Sequence, residues 1–181
     1  FFGDIKKLDF SVRTFFWQQV YEIYVPLLKK NGMNFTGIPR YIAPSVHFDG
    51  VDYSMITLGA DVVISKNVEF LTHDFSIARG LQAINKKMTP AGKDEYFLKP
   101  IKVGDNTFIG LNSIIMPGCT IGNNVIIGSG SVVRGKIPDN SVVTGNPATV
   151  VEDTRKFFRL LCYGLRLFHG PRQAEPGFHR S

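Results

Sequence analysis

Cysteine and long apolar runs are both scarce in this chain of 181 residues. The two cysteines, Cys119 and Cys162, lie far apart, which argues against a disulfide framework or a zinc site and fits a reducing cytoplasm. No run of about 18 apolar residues occurs, so the sequence offers no segment that would span a bilayer. No secretory signal is visible in a chain that begins Phe1-Phe2, and we expect a cytoplasmic protein.

Positive charge is in excess over the whole chain, at +6, but not over its middle. Residues 1–40 carry six basic and three acidic side chains, residues 152–181 carry the same numbers, and residues 41–151 carry nine of each. A protein that binds nucleic acid concentrates its basic residues on the face that it uses. Because the middle is neutral, we expect no nucleic-acid partner.

Two helical patterns flank the middle of the chain. Residues 9–30 place apolar side chains on one helical stripe, and Asn31-Gly32 ends the pattern. Residues 153–169 form a second amphipathic pattern, followed by a polar tail. The aromatic and basic first helix leaves two interpretations open: packing on the main domain, or peripheral contact with a membrane surface or a neighbouring subunit. We therefore expect three segments: 1–40, 41–151 and 152–181.

The middle segment contains an internal repeat of six residues. Its large aliphatic members recur without a slip at Val103, Ile109, Ile115, Ile121, Ile127 and Val133. The fifth position of each hexad is small, at Thr107, Ser113, Cys119, Val125 and Ser131. An earlier stretch keeps the same phase at Leu58, Val62, Ile64 and Val68.

A period of six matches neither an α-helix nor one long alternating strand. It indicates short strands that are separated by tight turns and stacked into a flat-sided solenoid. In such a solenoid Cys119 is a small buried side chain rather than a nucleophile. Residues 75–99 break the period, and an excursion of this length in a compact domain is usually functional or disordered.

The stretch IKVGDNTFIGLNSIIMPGCTIGNNVIIGSGSVV, followed by IPDNSVVTGNPATVV, resembles the hexapeptide-repeat acyltransferases. Within that family it is most similar to the galactoside, maltose and xenobiotic O-acetyltransferase branch, over about residues 40–152. The resemblance implies an all-β solenoid, a left-handed parallel β-helix with flanking N-terminal and C-terminal helices and a long excursion loop. It also implies acetyl-CoA as co-substrate, a hydroxyl acceptor and a homotrimer in which the loop reaches a neighbouring subunit.

His73 is the candidate general base. It stands where the repeats give way to the excursion, and transfer to a hydroxyl needs a base because a protonated hydroxyl is a poor nucleophile. The resemblance also gives the catalytic histidine to this position. Asp74 is expected to orient the ring. That expectation requires a bend in the chain, since adjacent strand residues face opposite sides; otherwise Asp74 would bind the acceptor or cap the loop.

The remaining site residues follow from the resemblance. Ser45, at the depth of a family asparagine, and His47 and Asp49 are candidates for acceptor binding, against plain surface positions. Coenzyme A is expected along the groove between neighbouring prisms, held by Phe108, Gly110, Ser129, Arg134 and Lys136. Phe108 replaces the usual tryptophan, Gly110 and Ser129 are small residues near the thioester, and Arg134 and Lys136 stand near the phosphates. The glycine also has a structural explanation, because hexad turns require glycine.

Three other functions remain open at this point. A sugar amine could replace the hydroxyl as acceptor. Carbonic-anhydrase-like members of this fold need three histidine ligands, and only His47 and His73 lie near the repeats, so we expect no metal. A non-catalytic scaffold would need neither His73 nor a long excursion. We expect acetyl transfer to a saccharide hydroxyl, with the acceptor resting on the resemblance alone.

Overall fold

The computed structural model of the protein describes residues 22–50, 52–84 and 97–164. Short strands wind into a three-sided prism, in which parallel strands from successive coils form each side. Sheet A contains, in spatial order, β1 (Asn34–Phe35), β4 (Ile56–Leu58), β9 (Ile101–Val103), β12 (Thr120–Ile121) and β15 (Lys136–Ile137). Sheet C contains β3 (His47–Phe48), β6 (Glu69–Phe70), β11 (Ile114–Ile115) and β14 (Val132–Val133).

Sheet B forms the third side and closes one end of the prism. Its parallel strands are β2 (Tyr41–Ile42), β5 (Val63–Ile64), β10 (Phe108–Ile109), β13 (Ile126–Ile127) and β16 (Ser141–Gly145). Strand β17 (Ala148–Asp153) then turns back antiparallel to β16. The sequence did not predict β17, which occupies residues 152 and 153 where a helix was expected to begin.

The interior consists of stacked aliphatic columns, one on each side of the prism. Because successive strand residues face opposite sides, one residue of each two-residue strand points inward. Ile109 lies between Ile64 and Ile127 in this way, and all three are fully buried. The whole predicted hexad column is buried, as are its small members, Thr107, Ser113, Cys119, Val125 and Ser131. The repeat therefore predicted the core correctly.

Asparagine side chains stack along one corner. Asn106, Asn124 and Asn140 all have positive φ angles near 50°, a conformation that asparagine tolerates better than most residues. The Asn106 amide donates to Asn124 Oδ1 at 2.9 Å, and the Asn124 amide donates to Asn140 Oδ1 at 3.2 Å. The turn residues thus also bond one coil to the next.

The outer faces of the three sheets differ in polarity. Sheet A is polar, with Asn34, Thr57, Lys102, Thr120 and Lys136 pointing outward. Sheet B is apolar, with Tyr41, Val63, Phe108 and Ile126. Sheet C combines Ile114 and Val132 with a hydrogen bond between His47 and Glu69.

The six-residue spacing changes at one corner in three of the four coils. The inward residues on either side of the corner from sheet C to sheet A are six residues apart in the third coil, from Ile115 to Ile121. The same step takes ten residues in the first coil, 33 in the second and four in the fourth, from Phe48 to Leu58, Phe70 to Val103 and Val133 to Ile137. We call this corner the CA corner.

The predicted flanking elements are present where the structure describes them. Residues 22–30 are helical (α1), and Gly32 ends the helix with a φ of 100°; residues 9–21 lie outside the described residues. Helix α3 (Thr154–Gly164) follows β17, and the expected continuation to residue 169 also lies outside them. The excursion begins with β7 (His73–Asp74) and α2 (Ser76–Ala83) and returns through β8 (Phe97–Leu98), while residues 85–96 are outside the description. Among the described helices, none is long and apolar enough to cross a membrane.

Close coil-to-coil packing makes Gly122 sensitive to substitution. A Cβ atom on Gly122 would lie 2.2 Å from Asp139 Oδ1 and 2.7 Å from the Asp139 backbone nitrogen. We expect Gly122→Ala to lower the free energy of unfolding by about 1–3 kcal/mol, the usual cost of overpacking. Gly80→Ala is the matched control. Gly80 lies in α2, and a Cβ atom added there would meet no neighbouring atom within 4 Å. Because alanine favours a helix more than glycine does, this variant should be more stable by up to about 1 kcal/mol. Equal urea midpoints for the two variants would contradict the packing argument.

Candidate active site

His73 lies at the CA corner, at the base of the excursion. Strand β7 pairs antiparallel with β8, so that His73 is opposite Leu98, and the backbone N–H of Lys99 donates to Thr72 O at 2.9 Å. The imidazole contacts the Phe75 ring edge-on, with centroids 5.2 Å apart. Its side chain is 28% exposed, so the ring is held on several sides and still accessible.

The carboxylate that orients His73 belongs to Asp49, from the same corner of the preceding coil. Asp49 Oδ2 accepts a hydrogen bond from His73 Nδ1. Because an ionised carboxylate only accepts, Nδ1 of the neutral ring carries the proton and Nε2 keeps its lone pair. Asp49 therefore fixes both the orientation and the tautomer of the ring.

Asp49 is itself held by donors from the neighbouring coil. Its Oδ2 accepts hydrogen bonds from the Thr72 backbone N–H at 2.9 Å, the Thr72 hydroxyl at 2.8 Å and the His73 backbone N–H at 3.2 Å. The Asp49 side chain is only 4% exposed, and Thr72 is fully buried. A buried carboxylate needs such donors, because burial without hydrogen bonds would be costly.

These contacts correct the expected roles of two aspartates. Asp74 Oδ1 accepts from the Ser76 backbone N–H at 2.8 Å, at the start of α2. This backbone bond, then the Ser76 side chain, holds the pKa of Asp74 below its ordinary value, and Arg134 and His73 contribute less. Asp74 caps the excursion helix instead of orienting the ring, since adjacent strand residues point apart. Asp49, expected at the acceptor, is buried beneath the ring instead.

The other two acceptor candidates lie elsewhere on the prism. Ser45 is at the corner that precedes β3, where its hydroxyl accepts from the Asn67 backbone N–H at 3.1 Å. His47 points outward from sheet C, and its Nδ1 is 2.7 Å from Glu69 Oε2. Both side chains are exposed, and their roles in acceptor binding stay predictions.

The residues expected at coenzyme A divide between two regions of the chain. Phe108 is 41% exposed on sheet B, and Gly110 and Ser129 follow β10 and β13 on adjacent coils. A Cβ atom on Gly110 would lie 2.6 Å from the Ser129 nitrogen, so packing alone requires glycine there. Arg134 lies at the CA corner and Lys136 on sheet A. One chain does not bring all five together.

An apolar cleft of about 400 Å³ lies between sheet B and α3. It is lined by Asn106, Phe108, Asn124, Val125, Ile126, Thr154, Phe157 and Phe158. The Thr154 hydroxyl is buried and has no hydrogen-bond partner in the described structure. The sequence placed Phe157 on an amphipathic stripe but gave no signal that Phe108 would face α3, because β17 was not foreseen.

A sequence profile of the bacterial transferase hexapeptide family (six repeats) matches residues 100–135. Protein CapG of Staphylococcus aureus is 35% identical over 130 residues, which cover 72% of this chain and 71% of CapG. The chain belongs to the hexapeptide-repeat transferase family. It spans about half the length of several other curated relatives that it matches, from 43% to 54%.

Two solved hexapeptide transferases share the fold. The crystal structure of a maltose O-acetyltransferase from Clostridium difficile 630 is 28% identical, with a TM-score of 0.55 over 74% of this chain and 75% of the other. A galactoside acetyltransferase in complex with coenzyme A is 27% identical, with a TM-score of 0.54 over 74% and 71%. The prism is the left-handed parallel β-helix of the family, which confirms the fold expected from the sequence.

A metal site and a reactive thiol each place requirements on the described residues. Within the described residues, no group of three or more histidine, cysteine, aspartate or glutamate side chains could hold a metal ion. Burial raises the pKa of Cys119 to about 12, so its thiol is protonated at neutral pH and cannot act as a nucleophile. The role of His73 as the base, with its ring held by Asp49, stays a prediction at this point.

Proposed function

We propose that this protein transfers an acetyl group from acetyl-CoA to a saccharide hydroxyl, with His73 as the general base. The observation that carries the proposal is the His73–Asp49 pair, in which a buried carboxylate holds Nδ1 and leaves Nε2 of a partly exposed ring available. Two further findings support it. The matched structures are named as a maltose O-acetyltransferase and as a galactoside acetyltransferase bound to coenzyme A.

The reaction needs one proton transfer in each direction. His73 Nε2 removes the hydroxyl proton while the oxygen forms a bond to the thioester carbonyl carbon. The carbon–sulfur bond then breaks, and the imidazolium returns its proton to the departing thiolate. The Asp49 carboxylate stabilises the imidazolium between these steps, as in other base–carboxylate pairs. Direct transfer uses no acyl-enzyme, in agreement with the buried state of Cys119.

A variant without the imidazole tests the base. His73→Ala should lower kcat by about 10²–10⁴-fold on an accepted saccharide, the usual contribution of a general base. Thiol release from acetyl-CoA, followed with an aromatic disulfide reagent, measures the rate. Acetyl-CoA binding and the melting temperature serve as controls and should hardly change. Retention of most activity would rule out His73 as the base.

Asp49→Asn tests the carboxylate separately. An amide keeps the size of the side chain but presents a donor group and removes the charge, so it no longer selects the proton on Nδ1 or stabilises the imidazolium. We expect kcat to fall by about 10²-fold or more, with little change in KM for acetyl-CoA. Asp74→Asn should reduce kcat far less, since Asp74 caps α2. The reverse ranking would return the orienting role to Asp74.

The coenzyme A residues remain those that the family resemblance suggests: Phe108, Gly110, Ser129, Arg134 and Lys136. Arg134 and Lys136 are exposed, and neither forms an ion pair within the described residues. The double variant Arg134→Ala/Lys136→Ala should raise KM for acetyl-CoA more than KM for the acceptor. An unchanged KM for acetyl-CoA at low ionic strength would exclude these side chains from the phosphates.

The outer faces favour a trimer. Two sides of the prism present apolar residues, whereas sheet A is polar: Ile114 and Val132 lie on sheet C, and Tyr41 and Val63 lie on sheet B next to the cleft that Phe108 and Ile126 form with α3. Burying two sides and exposing one suits a closed ring of three prisms, with sheet A outside. Such a ring would also bring the two groups of coenzyme A residues together from different subunits.

Light scattering tests the trimer and its interface. The protein should have about three times the 20.2 kDa mass of one chain. Ile114→Arg on sheet C should reduce the mass toward that of a monomer, because it buries a charge without a partner. Thr57→Arg, on sheet A, is the control and should leave the mass unchanged. A fully active monomer would refute a site shared between subunits.

A further inference from the structure

Two lysines, Lys99 and Lys102, lie on the chain that returns from the excursion into sheet A. The residues that re-enter the prism after the excursion run past the catalytic strand, since the Lys99 backbone N–H donates to Thr72 O. The Lys99 side chain crosses the CA corner, packed against Gly118, with Nζ 4.5 Å from the centre of the Phe97 ring. Three residues later, Lys102 points outward from the same coil, between Thr57 and Thr120 of its neighbours. Lys99 therefore lies at the CA corner that holds His73, and Lys102 lies on sheet A three residues further along the chain.

The outer face of sheet A, as far as the structure describes it, contains these cations and no acidic side chain. Within the described residues, neither Lys99 nor Lys102 belongs to an ion pair, and no outward residue of sheet A is acidic. The acids at the next corner are engaged with backbone groups: Asp105 Oδ1 accepts from the Ala60 N–H and Asp139 Oδ1 from the Asn123 N–H, each at 2.8 Å. These carboxylates and that of Asp74 keep their charge but lie at the edges of sheet A, so the outer face itself, with its cations and hydroxyl groups, favours an anion.

We propose that Thr57, Lys99, Lys102 and Thr120 form the binding face for the acceptor, and that the acceptor is an anionic saccharide. This inference rests on the proposed function and adds the substrate class. The carboxylate or phosphate groups of the sugar pair with the two lysines, the threonine hydroxyls bond to its hydroxyls, and one sugar hydroxyl reaches His73 at the corner. Lys136, two strands from Lys102 at about 10 Å, marks the far edge of this face.

The experiment compares an acid with its neutral ester. Binding of oligogalacturonate and of its methyl ester to the full chain is measured by calorimetry without acetyl-CoA, at low and at high ionic strength. The acid should bind about tenfold more tightly at low salt, and added salt should remove most of the difference, because exposed charges are screened. Equal binding of acid and ester would overturn the proposal.

Two variants assign the effect to this face. Lys102→Gln should weaken binding of the acid about threefold to fivefold, the range for one exposed charge pair, and Lys99→Gln/Lys102→Gln should bring it near that of the ester. Lys66→Gln removes the same charge from an exposed position between β5 and β6 and should leave binding unchanged. An equal loss in Lys66→Gln would show a response to net charge alone and would sink the assignment.

Kinetics separates this inference from the proposed function. Lys102→Gln should raise KM for the acidic acceptor and leave KM for acetyl-CoA unchanged. An equal rise in KM for acetyl-CoA would show that Lys102 binds the phosphates of coenzyme A and would overturn the inference. Binding to vesicles of anionic lipid that depends on Lys102, with none to oligogalacturonate, would overturn it in favour of a membrane surface. If the acid binds as expected but no acetyl group is transferred, the proposed reaction fails and the anionic-saccharide face stands.

Discussion

Backbone hydrogen bonds between successive coils hold each strand directly above the strand before it, so every inward side chain meets the inward side chain of the next coil. The pairing of Ile109 with both Ile64 and Ile127 is one instance. The interior has no room for a second large residue at the corners, which are occupied by side chains such as Ser113 and Ser131. This limit fixes the hexad, the buried columns and the glycine and asparagine turns together.

The same limit explains where a catalytic group can lie. A regular hexad turns its corner in a few residues, and none of them can leave the prism without breaking the stack. At the CA corner the first coil has four extra residues after Phe48 and the second has 27 extra after Phe70. Asp49 and His73 come at the start of these two insertions. Residues in these insertions are not constrained by the hexad, so their side chains can take part in a site. The regular sheets on either side keep Asp49 and His73 next to each other.

The sequence could predict the features that recur with the hexad. It could not predict contacts between residues that lie outside the repeat. The hexads identified the buried column and, with the family resemblance, the left-handed helix; the resemblance also suggested His73 as the base, which stays a prediction. The partner of His73 escaped prediction because its coil contains 22 residues rather than 18, as the pairing of His47 with Glu69 shows. Counting back one regular coil of 18 residues from His73 reaches Met55 and not Asp49, so the neighbouring Asp74 was the available choice. Strand β17 was not predicted because it runs antiparallel to β16 and lies outside the hexad pattern.

Asp49 also shows how a fold of stacked backbones can support a charged group. A buried carboxylate is tolerated only where donors converge on it, and here the backbone N–H groups of Thr72 and His73, the Thr72 hydroxyl and the His73 ring all meet one oxygen. All four donors remain whether or not the ring is charged, because Nδ1 carries a proton in both states. The carboxylate is therefore held in place before the imidazole takes a proton, and little reorganisation is needed when it does. Since the donors come from one coil and the carboxylate from the coil below, the spacing of the solenoid sets the geometry of the base.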